Sequence, residues 1–439
     1  MCKVLTVVKT LHISDLVSFL VNNFYGLSTF QTLYCFIMSI KFNIEKKMEG
    51  TLARAGVLET PHGKILTPSF VTVGTKATVK ALTMEQVKDL GAQVVLANTY
   101  HLYLQPGDEI VKNAGGLHKM MNWFGPTMTD SGGFQAFSLG VAFGSGVSKI
   151  ASADKKDIVN RCGEMSDGEG CSLAKIDEDG VTFKSHIDGS LHKFTPEKSI
   201  QIQHNIGADM IFAFDECTSP NADYDYQREA MDRTHRWAER SLDEHKKLNI
   251  EDKISLFGIV QGGRFEDLRK ESAEVISKMD FDGFGIGGSF NKEDMNTAVG
   301  WVNKILPEGK PRHLLGIGEP EDLFGGVENG IDLFDCVAPT RMARNGSLHT
   351  KDGKINILNA KFKDDFSPIE KDCGCYTCKN YTKSYLSHLF RAKEMLGSTL
   401  ATIHNLYFIN KLVQDIRQSI MDENFDELKK DFLKRYKKE

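Results

Sequence analysis

The sequence predicts an α/β fold, a (β/α)8 barrel with a C-terminal appendage. Three observations predict it. After residue 50, short apolar runs recur and end abruptly in polar or glycine-rich turns. Stretches with helical spacing lie between most of them. Residues suited to chemistry stand directly after the runs, where a barrel builds its active site.

The runs, in order, are "QVVLANTYH", "PTMTDSGGFQ", "GVTFKSHIDG", "DMIFAFDECT", "SLFGIVQGG", "GFGIGG", "HLLGIGEP" and "DLFDCVAPTR". The helical stretches are Thr83–Leu90, Pro196–Ile206, Tyr226–Lys247, Phe265–Lys278, Lys292–Ile305 and Pro320–Asn329. Pro196 and Pro320 suit the first turn of a helix, where a missing N–H costs nothing. Strands alternating with helices imply a parallel sheet. About eight such units imply closure into a barrel rather than an open sheet. Asp130, Asp215, Gln261, Gly287–Gly288, Gly316 and Asp335 then converge on one mouth.

A chain of 439 residues suits one large barrel with an appendage. The net charge of −5 excludes a protein coated in positive charge. From Thr340 to Glu439, 19 Lys/Arg face 13 Asp/Glu, a local balance of +6 that leaves −11 for the rest. The tail "KKDFLKRYKKE" reads as a solvated helix end or as a phosphate-contacting patch. Nine cysteines, an odd number with three clustered, do not form a disulfide framework and fit a reduced cytosolic compartment.

The segment Leu16–Ile40 is apolar but broken by Asn22, Asn23, Ser28, Thr29, Gln31 and Thr32. It matches neither a spanning helix nor a signal peptide. Residues 1–37 read as an unplaced extension or mis-assigned start, with a weak membrane anchor as the alternative. The catalytic barrel is expected over 38–345, and a subdomain with C-terminal helices over 346–439. Between Ala142 and Leu173 the rhythm breaks into a polar, glycine- and serine-rich stretch, read as a mobile surface loop. Its Cys162 and Cys171 read as ordinary thiols.

Asp130, Asp215 and Asp335 are carboxylates at strand ends, costly there unless paired or used. Two at one mouth could serve as nucleophile and general acid/base, as in retaining glycoside chemistry. Gly132–Gly133, Gly262–Gly263 and Gly287–Gly288 let backbone amides approach a planar ligand. Gln261 offers a donor and an acceptor to a heterocycle edge, and Phe134 a stacking surface. Cys373, Cys375 and Cys378 form C-x-C-x-x-C, three thiolates that want a fourth ligand for zinc. His404 in "LATIHNLYF" is favoured, because the longer excursion lets a helical hairpin fold back over the metal. His388 is the alternative. Four protein ligands leave no open position for water, so this zinc reads as structural.

Five ordered motifs, "TDSGGFQ", "FDECT", "GIVQGG", "DLFDCVAPTR" and "CGCYTC" followed by "HN", resemble the tRNA-guanine transglycosylase family, and within it the bacterial queuine tRNA-ribosyltransferases. The resemblance runs from about Met38 to the C-terminus. It implies a cytoplasmic, homodimeric, zinc-containing barrel enzyme, with one structural zinc per subunit and no membrane association. Its expected reaction exchanges guanine at the anticodon wobble position of tRNA for a 7-deazaguanine base. By the same resemblance, Asp335 would be the nucleophile and Asp130 the general acid/base. Asp130, Ser131, Gly132, Gly133, Phe134, Asp215, Gln261 and Gly288 would bind the base. Two segments would contact RNA: Gly316, Ile317, Gly318, Glu319, Pro320, Glu321 and Asp322, then Thr340, Arg341, Met342, Ala343 and Arg344. Cys373, Cys375, Cys378 and His404 would hold the zinc. One departure bears on substrate. After Gly287–Gly288 the chain continues "SFNKEDM", where members using the aminomethyl precursor typically carry Leu-Ala-Val-Gly-Glu. The incoming base is therefore 7-aminomethyl-7-deazaguanine (preQ1) or, alternatively, queuine.

Other classes fit less well. A metal-dependent barrel hydrolase would want a His-x-His after an early strand, and the sequence has none. A non-catalytic RNA-binding subunit should have lost a catalytic carboxylate, yet Asp130 and Asp335 are both present. An archaeosine-type enzyme would carry further RNA-binding domains after His404.

Overall fold

The computed structural model describes residues 40–136, 150–151, 174–251, 253–288, 290–291 and 294–436. The readings of residues 1–37 and of Cys162 and Cys171 lie outside the described residues, as does almost all of the 142–173 segment.

Eight parallel strands close into a barrel: β1 (Ser69–Val73), β2 (Val95–Ala97), β3 (Thr127–Thr129), β4 (Met210–Phe212), β5 (Ser255–Val260), β6 (Gly283–Ile286), β7 (Arg312–Leu314) and β8 (Leu333–Asp335). Their order around the barrel is their order in the chain, and β8 pairs back onto β1 with Leu333 opposite Ser69 and Asp335 opposite Val71. An eight-stranded barrel is just wide enough for its own side chains to fill it. Val71, Val73, Leu96, Met128, Met210, Phe212, Phe257, Ile259 and Leu333 do so. Phe70, Val95, Ile211, Leu256, Val260, Leu314 and Phe334 point the other way, into the larger core under the helices. This alternation has a consequence for the site, because successive strand side chains change face. Two residues past the inward Met128, Ile259 and Leu333 come Asp130, Gln261 and Asp335, all at the C-terminal rim.

The surrounding helices include α1 (Thr99–Leu104), α2 (Pro196–Ile206), α3 (Tyr224–Leu248), α4 (Glu266–Ser277), α5 (Met295–Asn303), α6 (Pro320–Glu328) and α7 (Ala338–Arg344), with shorter helices at Met84–Asp89, Asp108–Asn113 and Gly116–Met121. The predicted helical spans agree with the observed ones to within a turn. Local chemistry sets their ends. Thr195 caps α2 by accepting from Lys198 N, Pro196 opens it, and Gly207 in the left-handed region closes it. Asp223 caps α3 by accepting from Tyr226 N.

One predicted barrel run is placed differently. Gly180–Lys184, from "GVTFKSHIDG", is the middle strand of a separate antiparallel sheet with Ala174–Asp177 and Leu191–Phe194. Only Glu178 and Asp179 join its first two strands. A connection that short makes a hairpin, never a parallel crossover. The eighth barrel strand is instead "SFVTV", β1, which the predicted runs omit. Phe183 and Phe194 pin the extra sheet against Tyr100 and Tyr103 of α1 by tilted and edge-on ring contacts.

At the N-terminal end of the barrel, strands Lys41–Lys47, Arg54–Thr60 and Gly63–Thr67 form a meander. Its Leu58 and Ile65 join the inner barrel core. A fully buried ion pair ties the meander down. Arg54 donates through Nε to Asp332 Oδ1 at 2.9 Å and through Nη2 to Oδ2 at 2.6 Å, and Arg312 N donates to Asp332 Oδ2 at 2.8 Å. Removing one partner leaves a buried, uncompensated charge. Arg54→Ala is expected to cost about 3–5 kcal/mol, measured by urea unfolding, with Asp332 as the stranded group.

A hairpin, Ser347–Thr350 with Gly353–Asn356, leads into α8 (Tyr376–Asn380), α9 (Lys383–Arg391), α10 (Met395–Met421) and α11 (Phe425–Tyr436). Leu348, Ile357, Leu386, Leu389, Leu400 and Ala401 make a small core around Cys375 and Cys378. Farther along α10, Leu406, Ile409, Val413, Ile416 and Ile420 belong to the main core. One helix therefore packs on both. No helix among the described residues is long and apolar enough to cross a membrane.

Candidate active site and metal centre

A cavity of about 540 Å³ opens at the C-terminal rim of the barrel. Asp130, Ser131, Phe134, Asp215, Gln261's neighbours Gly287 and Gly288, Gly316 and Asp335 meet there, with Thr340, Arg341 and Arg344 at its edge.

Asp130 follows β3 and is held by three donors. Thr99 N donates to Oδ1 at 2.9 Å, Gln135 Nε2 donates to Oδ2 at 2.7 Å, and Asn98 Nδ2 also donates to Oδ2. Burial pushes its carboxyl above the usual range. The three donors counter that, and the charge of Asp335 across the cavity adds to the rise. Such a carboxyl is placed to hold a proton and to give it up.

Asp335 ends β8. His313 Nε2 lies 2.8 Å from its Oδ1, and Gly316 N donates to the same oxygen at 2.9 Å. Gly316 sits at φ 75°, a conformation that favours glycine and turns this amide toward the carboxylate.

Asp215, buried after β4, accepts from Ser131 Oγ at 2.9 Å and from Gln261 Nε2 at 2.7 Å. Gly133 N donates to Ser131 Oγ at 3.2 Å, so the turn that follows Asp130 is tied through Ser131 to Asp215. Gln261 is almost fully buried, and its Oε1 has no hydrogen-bond partner among the described residues. A buried acceptor in that state calls for a donor from a ligand. Gly288 lies against this amide at φ 96°. A Cβ there would come within 3.1 Å of Gln261 Oε1 and 2.5 Å of Arg269 Nη2, so only glycine leaves the cavity open.

The predicted RNA segments divide. Gly316, Gly318, Glu319, Thr340, Arg341 and Arg344 face the cavity. Ile317, Pro320, Asp322 and Ala343 are buried in the fold, whereas Glu321 and Met342 are half-buried and do not line it. No ion pair is formed by Arg341, Arg344 or the nearby Lys80 among the described residues. Burial and the mutual repulsion of these cations lower the pKa of Lys80 and of Arg344.

Sequence reasoning missed several supports. Asn98 had a signal, since it follows the run "QVVLA" as Asp130 follows "PTMT". Arg269 had none. It lies on α4, fully buried, and donates to Gly263 O at 2.6 Å and Gly287 O at 2.8 Å, so one guanidinium braces two of the glycine loops. Burial depresses it to about 9. His313 likewise escaped notice.

The second centre is the cysteine cluster. Cys373, Cys375, Cys378 and His404 bring their ligand atoms within 4.8 Å of one another. His404 Nδ1 lies 3.8, 3.6 and 3.4 Å from the three sulfurs in that order. Tetrahedral zinc with its usual bond lengths sets an N···S edge of about 3.6 Å, so this donor set fits. His404 Nε2 donates to His349 O at 2.7 Å, which leaves the Nδ1 lone pair aimed at the sulfurs. His388, the alternative ligand, packs on Tyr385 of α9 instead.

A third cluster, His62, His118 and Asp209, lies at the N-terminal ends of the strands, away from the cavity. Its groups satisfy one another. Asp209 Oδ2 accepts from Thr127 N at 2.7 Å and lies 3.2 Å from His118 Nε2, while Oδ1 meets His62 Nδ1.

The queuine tRNA-ribosyltransferase family profile matches residues 49–438. The chain is 49% identical over 401 residues to a queuine tRNA-ribosyltransferase of Caldanaerobacter subterraneus, an alignment covering 91% of this chain and 98% of that one. It is 48% identical to one of Desulforamulus reducens, covering 90% and 99%. A Streptococcus uberis relative of the same name is 46% identical, covering 90% and 96%. With a profile spanning nearly all of the barrel and its appendage, the chain belongs to the queuine tRNA-ribosyltransferase family of pentosyltransferases.

Proposed function

We propose that the protein exchanges guanine at the wobble position of tRNA for preQ1, within queuosine biosynthesis, through a covalent ribosyl-Asp335 intermediate. The observation that carries this reading is the pair of carboxylates, Asp130 and Asp335, facing one cavity that Asp215 also lines, with Gln261 donating to Asp215 from behind.

In the first step an Asp335 carboxylate oxygen attacks the ribose anomeric carbon. The bond from that carbon to guanine N9 breaks, and Asp130 gives its proton to the departing guanine. In the second step Asp130 takes a proton from the incoming base, whose N9 attacks the same carbon and expels Asp335. Two displacements restore the original configuration, and the proton count closes. The raised pKa of Asp130 suits the donor half of that cycle. Asp215, Gln261 and Gly288 would read the base edge, and Phe134 would stack on it. The base has to leave its stack to enter so deep a cavity. Arg341 and Arg344 would take phosphates at the edge.

The Cys3His set would hold one structural zinc per subunit, tying residues 346–439 to a catalytic barrel of 38–345. The described cysteines are all thiols, which suits the cytoplasm. A homodimer is supported by the aromatic stripe on α8 and α9, where exposed Tyr376 and Tyr385 flank Tyr381, stacked on Tyr385 at 5.5 Å. A second copy covering it would let one subunit react while the other orients the tRNA.

Competing preQ1 against queuine for displacement of labelled guanine from tRNA tests the substrate. We expect preQ1 to be incorporated. Incorporation of queuine alone would assign the enzyme to salvage, and release by neither base would contradict the reading.

A further inference from the structure

We infer that His313 is a positioning residue for Asp335, holding its carboxylate in place for attack; the inference rests on the proposed role of Asp335 as nucleophile. His313 is the middle residue of β7 and faces into the barrel, fully buried, with its ring edge-on to Phe212 at 5.5 Å. Its Nε2 lies 2.8 Å from Asp335 Oδ1. Its Nδ1 is buried and has no hydrogen-bond partner among the described residues. A proton on Nδ1 would be a buried donor without an acceptor, which is costly. The tautomer that avoids this carries its proton on Nε2 and donates it to Asp335.

Asp335 Oδ1 then receives two donors, His313 Nε2 and Gly316 N, from one short segment of β7 and its following turn. Both donors draw charge toward Oδ1 and stop the carboxylate from rotating about its bond to Cβ. The alignment needed for displacement at the anomeric carbon is thereby set before substrate arrives. Full burial and the edge-on Phe212 ring restrict the room in which the His313 side chain can turn.

The test uses three full-length variants and two readouts. His313→Phe keeps a ring of similar size and removes the donor. His313→Gln and His313→Tyr each restore a donor on the same strand position. Steady-state guanine exchange and the rate of covalent tRNA adduct formation are measured for each, with thermal unfolding alongside. For His313→Phe we expect kcat and the adduct rate to fall about ten- to a hundredfold, the loss of one hydrogen bond to a charged group. KM for tRNA should change little, and at least one donor variant should recover most of the rate. Wild-type rates in His313→Phe would overturn the inference. So would slow rates in all three variants with matching losses of thermal stability, since a packing role alone gives that pattern. If wild-type enzyme forms no adduct, the nucleophile assignment fails instead, and the two failures are told apart.

Discussion

Replacing Asp335 with alanine is expected to abolish guanine exchange, lowering kcat by roughly 10⁴-fold or more. The size follows from the chemistry. No other described carboxylate shares the β8 rim position, and Asp130 is already held by three donors on the opposite side of the cavity. A water could replace the lost side chain sterically, but hydrolysis would then compete with exchange and no ribosyl-enzyme would persist. The fold should survive, because Asp335 borders open cavity. Its two donors, His313 Nε2 and Gly316 N, would regain a partner from solvent. Unfolding measured in parallel should therefore shift little. Near wild-type exchange in the alanine variant would remove Asp335 from the mechanism.

Loss of the metal is expected to have the largest effect on stability. The appendage core is small and is built around the cysteines themselves, with Cys375 and Cys378 packed among Leu348, Leu386, Leu389 and Leu400. A core of that size does not hold a fold by burial alone. Ligand binding that is absent in the unfolded chain adds directly to folding stability, on the order of several kcal/mol or more for structural zinc. Cys375→Ser or chelation should thus release close to one zinc per subunit and lower the thermal midpoint sharply. Because α10 runs from His404 of this cluster into the main core, the barrel should loosen with it. Readdition of zinc to the chelated wild-type enzyme should restore both stability and exchange. His404→Ala should lose zinc as well. Full zinc retention in that variant would move the fourth ligand elsewhere.

What could be read from the sequence was mostly what is local. The inward alternation Met128–Asp130, Ile259–Gln261 and Leu333–Asp335 is a period of two, visible in the residues, and the barrel realises it. The cysteine spacing and the choice of His404 over His388 were legible because a metal site needs a set number of ligand types. Two features misled. "SFVTV" is only five residues long and follows the strand Gly63–Thr67 across one proline, so it reads as hairpin continuation rather than as β1. "GVTFK" has the apolar alternation of a strand, but alternation does not say what the strand pairs with. The two-residue connection before it did carry that information. The supporting contacts were hidden for a different reason. Arg269 stands in a helix full of charged neighbours, and nothing nearby in the chain marks it as buried. His313 reaches Asp335 across 22 residues, a contact made only when β7 and β8 pair.

The central claim is a covalent bond to one aspartate, and one measurement addresses it directly. The enzyme is mixed with tRNA without incoming base, quenched with denaturant, digested with nuclease and protease, and mapped by mass spectrometry. The account predicts a ribosyl adduct on the peptide containing Asp335 that disappears when preQ1 is added before quenching. An adduct on the Asp130 peptide, or one that persists in Asp335→Ala, would contradict it.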